Sequence, residues 1–343
     1  MQAYIIDPLS DSRWRDLAAS HPSASAFHQP GWLNALAATY AYRPIALTST
    51  PPGEVLRDGL VFCEVRSLIT GNRLVSLPFS DHAEPFMEDS DAFFGMMKWF
   101  YEESKDRNWK YIEIRPISRL RQTHPSLAQN QSFWFHTLDL APAAEHLFRN
   151  LHKSCMQRRI RHAEQQKLTY ERGSSAALLD DFYKLLLLTR KRFGLPPQPR
   201  AWFQNVLACV GPSAEIRLAK KGNRPIAGIF TLRHRGTVIY KYGCSDEKYH
   251  NLAGIPFLFW KLIEESRSAG AELLDLGRTD LDNEGLIQFK ERLGAVRAQL
   301  NYFRYPERAN EAGANLSSAR GVFSKLPYAL SSWLGRMAYR HIG

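Results

Sequence analysis

One part of this chain repeats another, and the repeat limits what the chain can fold into. A shift of 162 positions lays Trp99–Ser104 (WFYEES) on Lys261–Ser266 (KLIEES). The same shift puts Met96, Met97, Phe100 and Tyr101 on Leu258, Phe259, Leu262 and Ile263, so the apolar positions of two helices coincide. Tyr111–Ile114 falls on Leu273–Leu276 with its acidic residue in register, Glu113 on Asp275. Upstream, Leu74–Phe79 falls within one residue of Thr237–Tyr242, and the loop Ser80–Pro85 (SDHAEP) takes the place of the polar loop that begins at Gly243. A match of strand, loop, helix and strand over about 40 positions indicates a duplicated domain, since solenoid units repeat every 20–50 residues or so. The expected fold class is α/β (α+β): two copies of one fold, each a mixed sheet flanked by helices.

The second copy carries the clearer pattern. Thr237–Tyr242 is β-branched and aromatic, as a strand requires. A polar loop with Asp246, Lys248, Tyr249, His250 and Asn251 follows and closes on Gly254. Residues 255–269 are apolar on most faces, which marks a largely buried helix, and Gly270 stops it. A strand over 272–276 ends at Gly277, and Arg278, Asp280, Asp282 and Lys290 come after it. A helix entered through glycine presents free N–H groups and a partial positive charge, which suits an anion.

Earlier in the chain the pattern predicts strands at 4–6, 44–48, 59–66, 73–79, 110–115 and 132–138. Helices are expected at 12–19, from Pro30 for about ten residues, and at 91–107. Leu147–Lys167 is the densest basic stretch. Read as one helix, it sets Met156, Ile160 and Ala163 on an apolar face beside a stripe of Arg158, Arg161, His162 and Gln165. That stripe is suited to hold phosphates, or to solvate an exposed face. Helices at 176–193 and 200–209 and strands at 214–219, 225–233 and 299–305 complete the second half. The expected domains are 1–140 and 141–305. Residues 306–343 read as a linker and an amphipathic helix, with 322–342 able to touch a membrane surface.

At 343 residues, with 44% hydrophobic and 23% charged residues, the composition is that of an ordinary globular chain long enough for two domains. A net charge of +11 favours anionic partners. No run approaches the ~20 apolar residues of a membrane span. Cys63, Cys155, Cys209 and Cys244 are scattered without metal-ligand spacing, and the N-terminus lacks a secretory pattern. A cytoplasmic protein with reduced thiols is expected, peripheral at the inner face of the membrane where 322–342 touches it. There is no GxSxG, no Cys with an obvious His partner, no GxxxxGK[ST] and no early GxGxxG. Asp81, His82 and Glu84 are a weak metal set, and no metal is expected. What remains is a transferase that works by positioning two substrates and stabilising an oxyanion.

Three motifs in order carry a resemblance: Asn251–Gly254 before an apolar helix, Leu274-Asp275-x-Gly277 after Gly270, and Gln288-Phe289-Lys290 before Gly294. With Arg158-x-x-Arg161-His162, Phe193–Pro196 and Trp202-Phe203, they resemble the second GNAT-type domain of the FemABX family and its CelD-like relatives, closest to FemAB-like proteins of bacterial envelope, exopolysaccharide and exosortase gene sets. The resemblance covers about residues 140–305, and the first half joins it by architecture. It implies two tandem GNAT folds and transfer of an acyl or aminoacyl group to an amine of a peptidoglycan- or exopolysaccharide-related precursor. No tightly bound cofactor is implied; the donor is a co-substrate, aminoacyl-tRNA or acyl-CoA. The acceptor is an anionic or lipid-linked precursor, with tRNA a possible partner and DNA none.

On this resemblance Lys290 contacts a phosphate or the developing oxyanion, or else pairs with Asp280 or Asp282. Asp275 is a base or a strand-end anchor. Arg158 and Arg161 bind anionic groups, and Asn251 and Gly254 form the donor loop beside Tyr242, Asp246 and Arg278. Asp81, His82 and Glu84 line an acceptor cleft. Two departures stand out. Gly254 is followed by Ile255 and Pro256, and the proline removes an N–H that would cradle a phosphate. The helical-hairpin arm that some Fem enzymes insert has no counterpart. An acyl-CoA- or carrier-dependent N-acetyltransferase acting on a small amine or amino sugar, and a non-catalytic anion- or RNA-binding protein, stay open as alternatives.

Overall fold

The computed structural model describes residues 2–67, 71–87, 90–118, 127–305 and 339–341. These form two compact units, one of residues 2–132 with 300–305 and 339–341, the other of residues 133–299.

The first unit begins with β1 (Tyr4–Ile6), α1 (Ser12–Ser20) and α2 (Pro30–Tyr40). Asp11 caps α1 by accepting from Arg13 N, and Pro30 opens α2 where its missing N–H costs nothing. Its sheet runs β1, β2 (Arg43–Thr48), β3 (Leu60–Val65) and β4 (Arg73–Val75), all antiparallel neighbours. After α3 (Ser90–Arg107), β5 (Ile112–Ile114) pairs parallel with β4 and antiparallel with residues 303–305. Met96, Met97 and Phe100 of α3 pack on Phe62, Leu74 and Ile112 of the sheet. β6 (Ala128–Asp139) leads into the second unit.

That unit contains α4 (Ala144–Asn150), α5 (Arg158–Gln165), β7 (Thr169–Gly173), α6 (Ala176–Arg192), α7 (Arg200–Val210), β8 (Ala214–Lys221), β9 (Arg224–His234), β10 (Thr237–Ser245), α8 (Gly254–Ser268), β11 (Leu273–Asp280), α9 (Glu284–Arg292) and the start of β12 (Val296–Tyr305), whose residues 300–305 belong to the first unit. β7 to β10 are antiparallel neighbours, β10 pairs parallel with β11, and β11 pairs antiparallel with residues 133–139 of β6. Leu258, Phe259, Leu262 and Ile263 of α8 pack on Ile229, Val238 and Leu274.

The duplication holds in the topology, with the first strand of the pair offset by two residues from the 162-residue shift, an even offset that keeps the same faces of the sheet. Leu74 faces Ile112 and Val75 faces Glu113 in one unit; Val238 faces Leu274 and Ile239 faces Asp275 in the other. Each parallel pair is bridged by the helix whose apolar positions matched in sequence.

Four sequence expectations need correction. β4 ends at Val75 instead of running to 79, because Leu77 and Phe79 adopt left-handed backbone, φ 56° and 62°, that no strand continues. β10 and β11 outrun their expected ends and reach Ser245 and Asp280. β7 was not expected, since Thr169–Gly173 (TYERG) is mostly polar and reads as a loop until β8 pairs with it. The basic stretch is not one helix. Leu151 is extended, and a π-helical turn over Lys153–Gln157 then joins α5. Gln157 Nε2 donates to Arg149 O and Leu151 O, and His152 N to Arg292 O, which satisfies the broken ends.

Of the expected linker and C-terminal helix, only Tyr339–His341 falls within the described residues, and they are helical. The membrane contact expected of 322–342 therefore lies almost wholly outside them. Among the described residues no helix is long and apolar enough to cross a membrane.

Candidate functional site

The second unit opens its sheet at one place. β10 and β11 pair only from Thr237 to Ile239 and from Leu273 to Asp275. Beyond that level β10 keeps to β9 and β11 to β6, and each shows a register shift where they part, at Tyr240/Tyr242 and at Asp275/Arg278. Two parallel strands that bulge at one level separate into a wedge.

The bulge in β11 turns on Gly277 at φ 71°, a conformation that favours glycine. Asp275, buried, accepts from Gly277 N at 2.7 Å. Lys290 reaches over from α9, with Nζ at 2.9 Å from Gly277 O, 3.1 Å from Arg278 O and 2.7 Å from Thr279 Oγ1. An ammonium has three N–H groups, and these acceptors match that number. Lys290 and Asp275 thus clamp the mouth of the wedge.

His136 of β6 lies opposite this bulge, between the pairs Phe135–Arg278 and Thr137–Asp275. It is fully buried and neither ring nitrogen has a hydrogen-bond partner. Burial first, then the charges of Lys290 and Arg297, push its pKa down to about 4, so the ring is neutral at physiological pH. Sequence reasoning missed it, because a lone histidine in a strand carries no pattern.

In the first unit the equivalent place is filled. The 162-residue shift sets Arg115 where the second unit has Gly277. Arg115 donates to Leu77 O at 3.0 Å, to Ser80 O at 3.2 Å and to the Glu113 carboxylate at 2.8 Å, beneath the ring of Tyr302. Ser76 N bonds Glu113 O and Ala83 N bonds Arg115 O, each at 2.8 Å, so this loop closes on β5. Burial alone would raise the Glu113 pKa, but Arg115 and Arg304 hold it below the ordinary carboxylate value.

Below the wedge, the loop from β10 to α8 forms a 3-10 turn capped by Asp246, which accepts from Lys248 N. Ala253 is left-handed, φ 59°, and delivers the chain to α8 at Gly254. A Cβ on Gly254 would sit 2.9 Å from the Ala227 Cβ, so glycine is required here for close packing of α8 on β9.

A cavity of about 650 Å³ opens beside this loop. Three helix starts meet on it: Ser154 and Cys155 of the π-turn that runs into α5, Gly254 and Ile255 of α8, and Gly285 of α9. Arg158, Arg159 and Arg292 line it, with no aspartate or glutamate among its lining residues. His152 Nδ1 takes the Cys155 N–H; the aligned helix dipoles and three guanidinium groups point to an anionic ligand.

At the rim, His250 Nε2 lies 2.9 Å from Ser245 Oγ and 3.2 Å from Arg192 Nη1. Arginine only donates, so this nitrogen accepts and the imidazole is neutral. Burial and then Arg192 lower its pKa, in accord with that geometry. A smaller groove of about 360 Å³ shares Arg158 and Arg159 with the cavity and adds Arg161, His162, Gln165 and Asn251.

Of the sequence candidates, Arg158 and Gly254 line the cavity, while Arg158, Arg161 and Asn251 line the groove. Lys290, Asp275 and Arg278 gather at the β11 bulge, where Arg278 stacks on Phe133 at 4.3 Å. Tyr242 is buried against Phe203, and its hydroxyl accepts from Trp202 Nε1 at 2.9 Å. Asp246 caps its turn and faces Arg224 at 3.6 Å. Asp81, His82 and Glu84 lie in the first unit. Asp81 O accepts from Tyr302 Oη, buried His82 meets the Phe27 ring, and Glu84 accepts from Ser118 N. The described residues contain no cluster fit to hold a metal. Arg159, Arg292 and the start of α9 were not singled out from sequence, because their role depends on helices far apart in the chain.

Residues 150–291 match the GNAT acetyltransferase domain family. No curated protein matches the chain by sequence. Among solved structures the chain is similar to FemX, with TM-score 0.67 and 13% identity over 90% of this chain and 98% of that one. It is also similar to the C-terminal domain of a putative lysylphosphatidylglycerol synthetase from Agrobacterium fabrum, with TM-score 0.56 and 11% identity over 94% and 95% of the two chains. A tandem GNAT protein from the clavulanic acid biosynthesis pathway aligns with TM-score 0.54 and 11% identity over 90% of this chain and all of the other. Residues 150–291 are a GNAT acetyltransferase domain, set within a tandem pair of such folds, and the chain is an acyltransferase.

Proposed function

We propose that this acyltransferase moves an acyl or aminoacyl group from an anionic donor to an amine of a cell-envelope precursor. The observation that carries this reading is the cavity of the second unit, where three helix starts and three arginines converge without a carboxylate. The donor's phosphates rest there, and its acyl arm runs up into the wedge between β10 and β11. Backbone N–H groups freed from pairing in that wedge face the acyl carbonyl and stabilise the oxyanion as the amine attacks. The amine gives up a proton, and the thiol or ribose hydroxyl of the donor leaves with one.

Lys290 and Asp275 act as positioning residues that hold the β11 bulge at its working shape. Arg158, with Arg159 and Arg292, neutralises the donor. The envelope acceptor is supported by the FemABX resemblance, by the name of the lysylphosphatidylglycerol synthetase, and by a net charge of +11 suited to an anionic or lipid-linked precursor at the inner membrane face. The GNAT domain favours a coenzyme A thioester as donor; the FemABX resemblance favours aminoacyl-tRNA.

Thermal-shift titration with acetyl-CoA, aminoacyl-tRNA and a UDP-linked muropeptide tests the reading. A ligand at ~100 times its Kd stabilises by about 2.7 kcal/mol, a shift of several degrees. The expected result is a shift with one donor that is lost in Arg158→Ala/Arg292→Ala, and a further shift with the muropeptide. Silence from both donors would remove the donor assignment; a donor shift without a muropeptide shift would remove the acceptor.

A further inference from the structure

A further hollow, of about 180 Å³, opens at the other end of α8 from the donor cavity. The cavity meets the start of α8 at Gly254 and Ile255, and this hollow meets its end at Glu265 and Ser266. The two share no lining residue, and 15 residues of helix set their ends about 22 Å apart. The charged lining is mixed: Arg172, Arg217 and Arg233 against Glu215 and Glu265. Arg217 is its buried floor, 5% exposed. Its Nη2 donates to the Glu215 carboxylate at 2.7 Å and its Nη1 to Thr231 Oγ1. Its Nε has no hydrogen-bond acceptor. Glu265 Oε2 lies 3.7 Å from it and already accepts from Tyr170 Oη at 2.7 Å and Arg172 Nη1 at 3.0 Å. Arg172 and Arg233 stand exposed at the rim, Arg233 held by its bond to Ala269 O at 2.6 Å. Buried donors are nearly always satisfied, so one left open beside a hollow marks a place for a ligand oxygen. Three guanidinium groups against two carboxylates leave one positive charge over, and arginine grips carboxylates bidentately. The volume is that of roughly six waters, which suits a small metabolite better than a nucleotide.

We propose that this hollow is an effector site for a free dicarboxylic amino acid of the glutamate class. The ligand's two carboxylates meet the arginines, and its ammonium meets Glu215 and Glu265. Its net negative charge cancels the positive charge left over, so the occupied site is neutral. Val238 of β10 also lines the hollow, and it pairs with Leu274 just below the level where the strands part. A ligand that braces this level of β10 and the end of α8 therefore acts on two elements that build the donor site. The assignment does not depend on which donor that site takes.

Calorimetric titration of the full chain with L-glutamate, glutarate, glutamine and inorganic phosphate tests the site. Glutarate lacks the ammonium and glutamine lacks one carboxylate. Each should bind about tenfold more weakly than glutamate, the scale of one charge-assisted contact. Arg172→Ala/Arg233→Ala clears the rim and leaves the buried Arg217 in place. It should weaken glutamate about a hundredfold with the melting curve little changed. Arg172→Lys/Arg233→Lys, which keeps the charge but not the fork, should retain part of the affinity. Bound glutamate should also slow amide exchange at Thr237–Ile239 and Leu273–Asp275, the paired level beside the hollow. No heat from glutamate at about 10 mM, or binding unchanged by the rim alanines, would overturn the site. Glutarate, glutamine or phosphate binding as tightly as glutamate would overturn the amino-acid assignment. Binding that left those amides unchanged would overturn the effector role.

Discussion

At the scale of single residues, the second unit spends its charged and polar groups on shaping backbone. Lys290 stood out in the sequence as a phosphate or oxyanion contact and Asp275 as a base or a strand-end anchor; both side chains meet the bulge around Gly277, where Asp275 anchors the strand. Lys290→Met leaves the Gly277 and Arg278 carbonyls short of a donor. It should lower stability by about 1–3 kcal/mol, and turnover by a larger factor, on the order of 10²-fold if the wedge shifts by ~1 Å. Paired denaturation and steady-state kinetics would show whether turnover falls further than stability accounts for.

His136 yields a pH prediction. Its pKa, near 4 in the fold, lies below the ~6.5 of an unfolded chain. Between those values the unfolded state binds the extra proton, so stability should fall as pH drops from about 6.5 towards 4. His136→Leu should flatten that slope in denaturation curves taken across the range. An unchanged slope would show that His136 does not titrate as its surroundings require.

At the scale of elements, the two β–helix–β repeats keep their topology and differ in what sits at one position. Gly277 lets β11 bulge away from β10, whereas Arg115 ties β5 to the loop 76–83 and fills the space. Arg115→Ala leaves Glu113 buried with Arg304 as its remaining guanidinium partner. Removing one member of a buried ion cluster should cost about 3 kcal/mol or more, read by chemical denaturation. Donor affinity in the second unit should stay as it was, as a calorimetric titration would show. The repeat was legible because helix and strand periodicities are local, and Met96, Met97 and Phe100 recur as Leu258, Phe259 and Leu262. The break at Leu151 was not. A basic run with helical spacing gives no sign that His152 and Gln157 will bond back to the chain and start a new helix.

At the scale of the whole molecule, one wedge is open and its counterpart is closed. A single donor should therefore bind per chain, and a titration that reached two equivalents would contradict this. With a net charge of +11, donor binding should also weaken as salt rises.

The sequence by itself determined that the chain holds two copies of one strand–helix–strand unit, where their helices bury, and that its net charge favours anionic partners. Those properties follow from periodicity and composition, which each segment carries alone. Only the tertiary structure decided which copy opens a wedge, since that depends on whether strands part or close. It also brought together the starts of α5, α8 and α9 with Arg159 and Arg292, and set His136 across from Lys290. A site made of helix ends about 30 to 130 residues apart exists only once the sheet has positioned them.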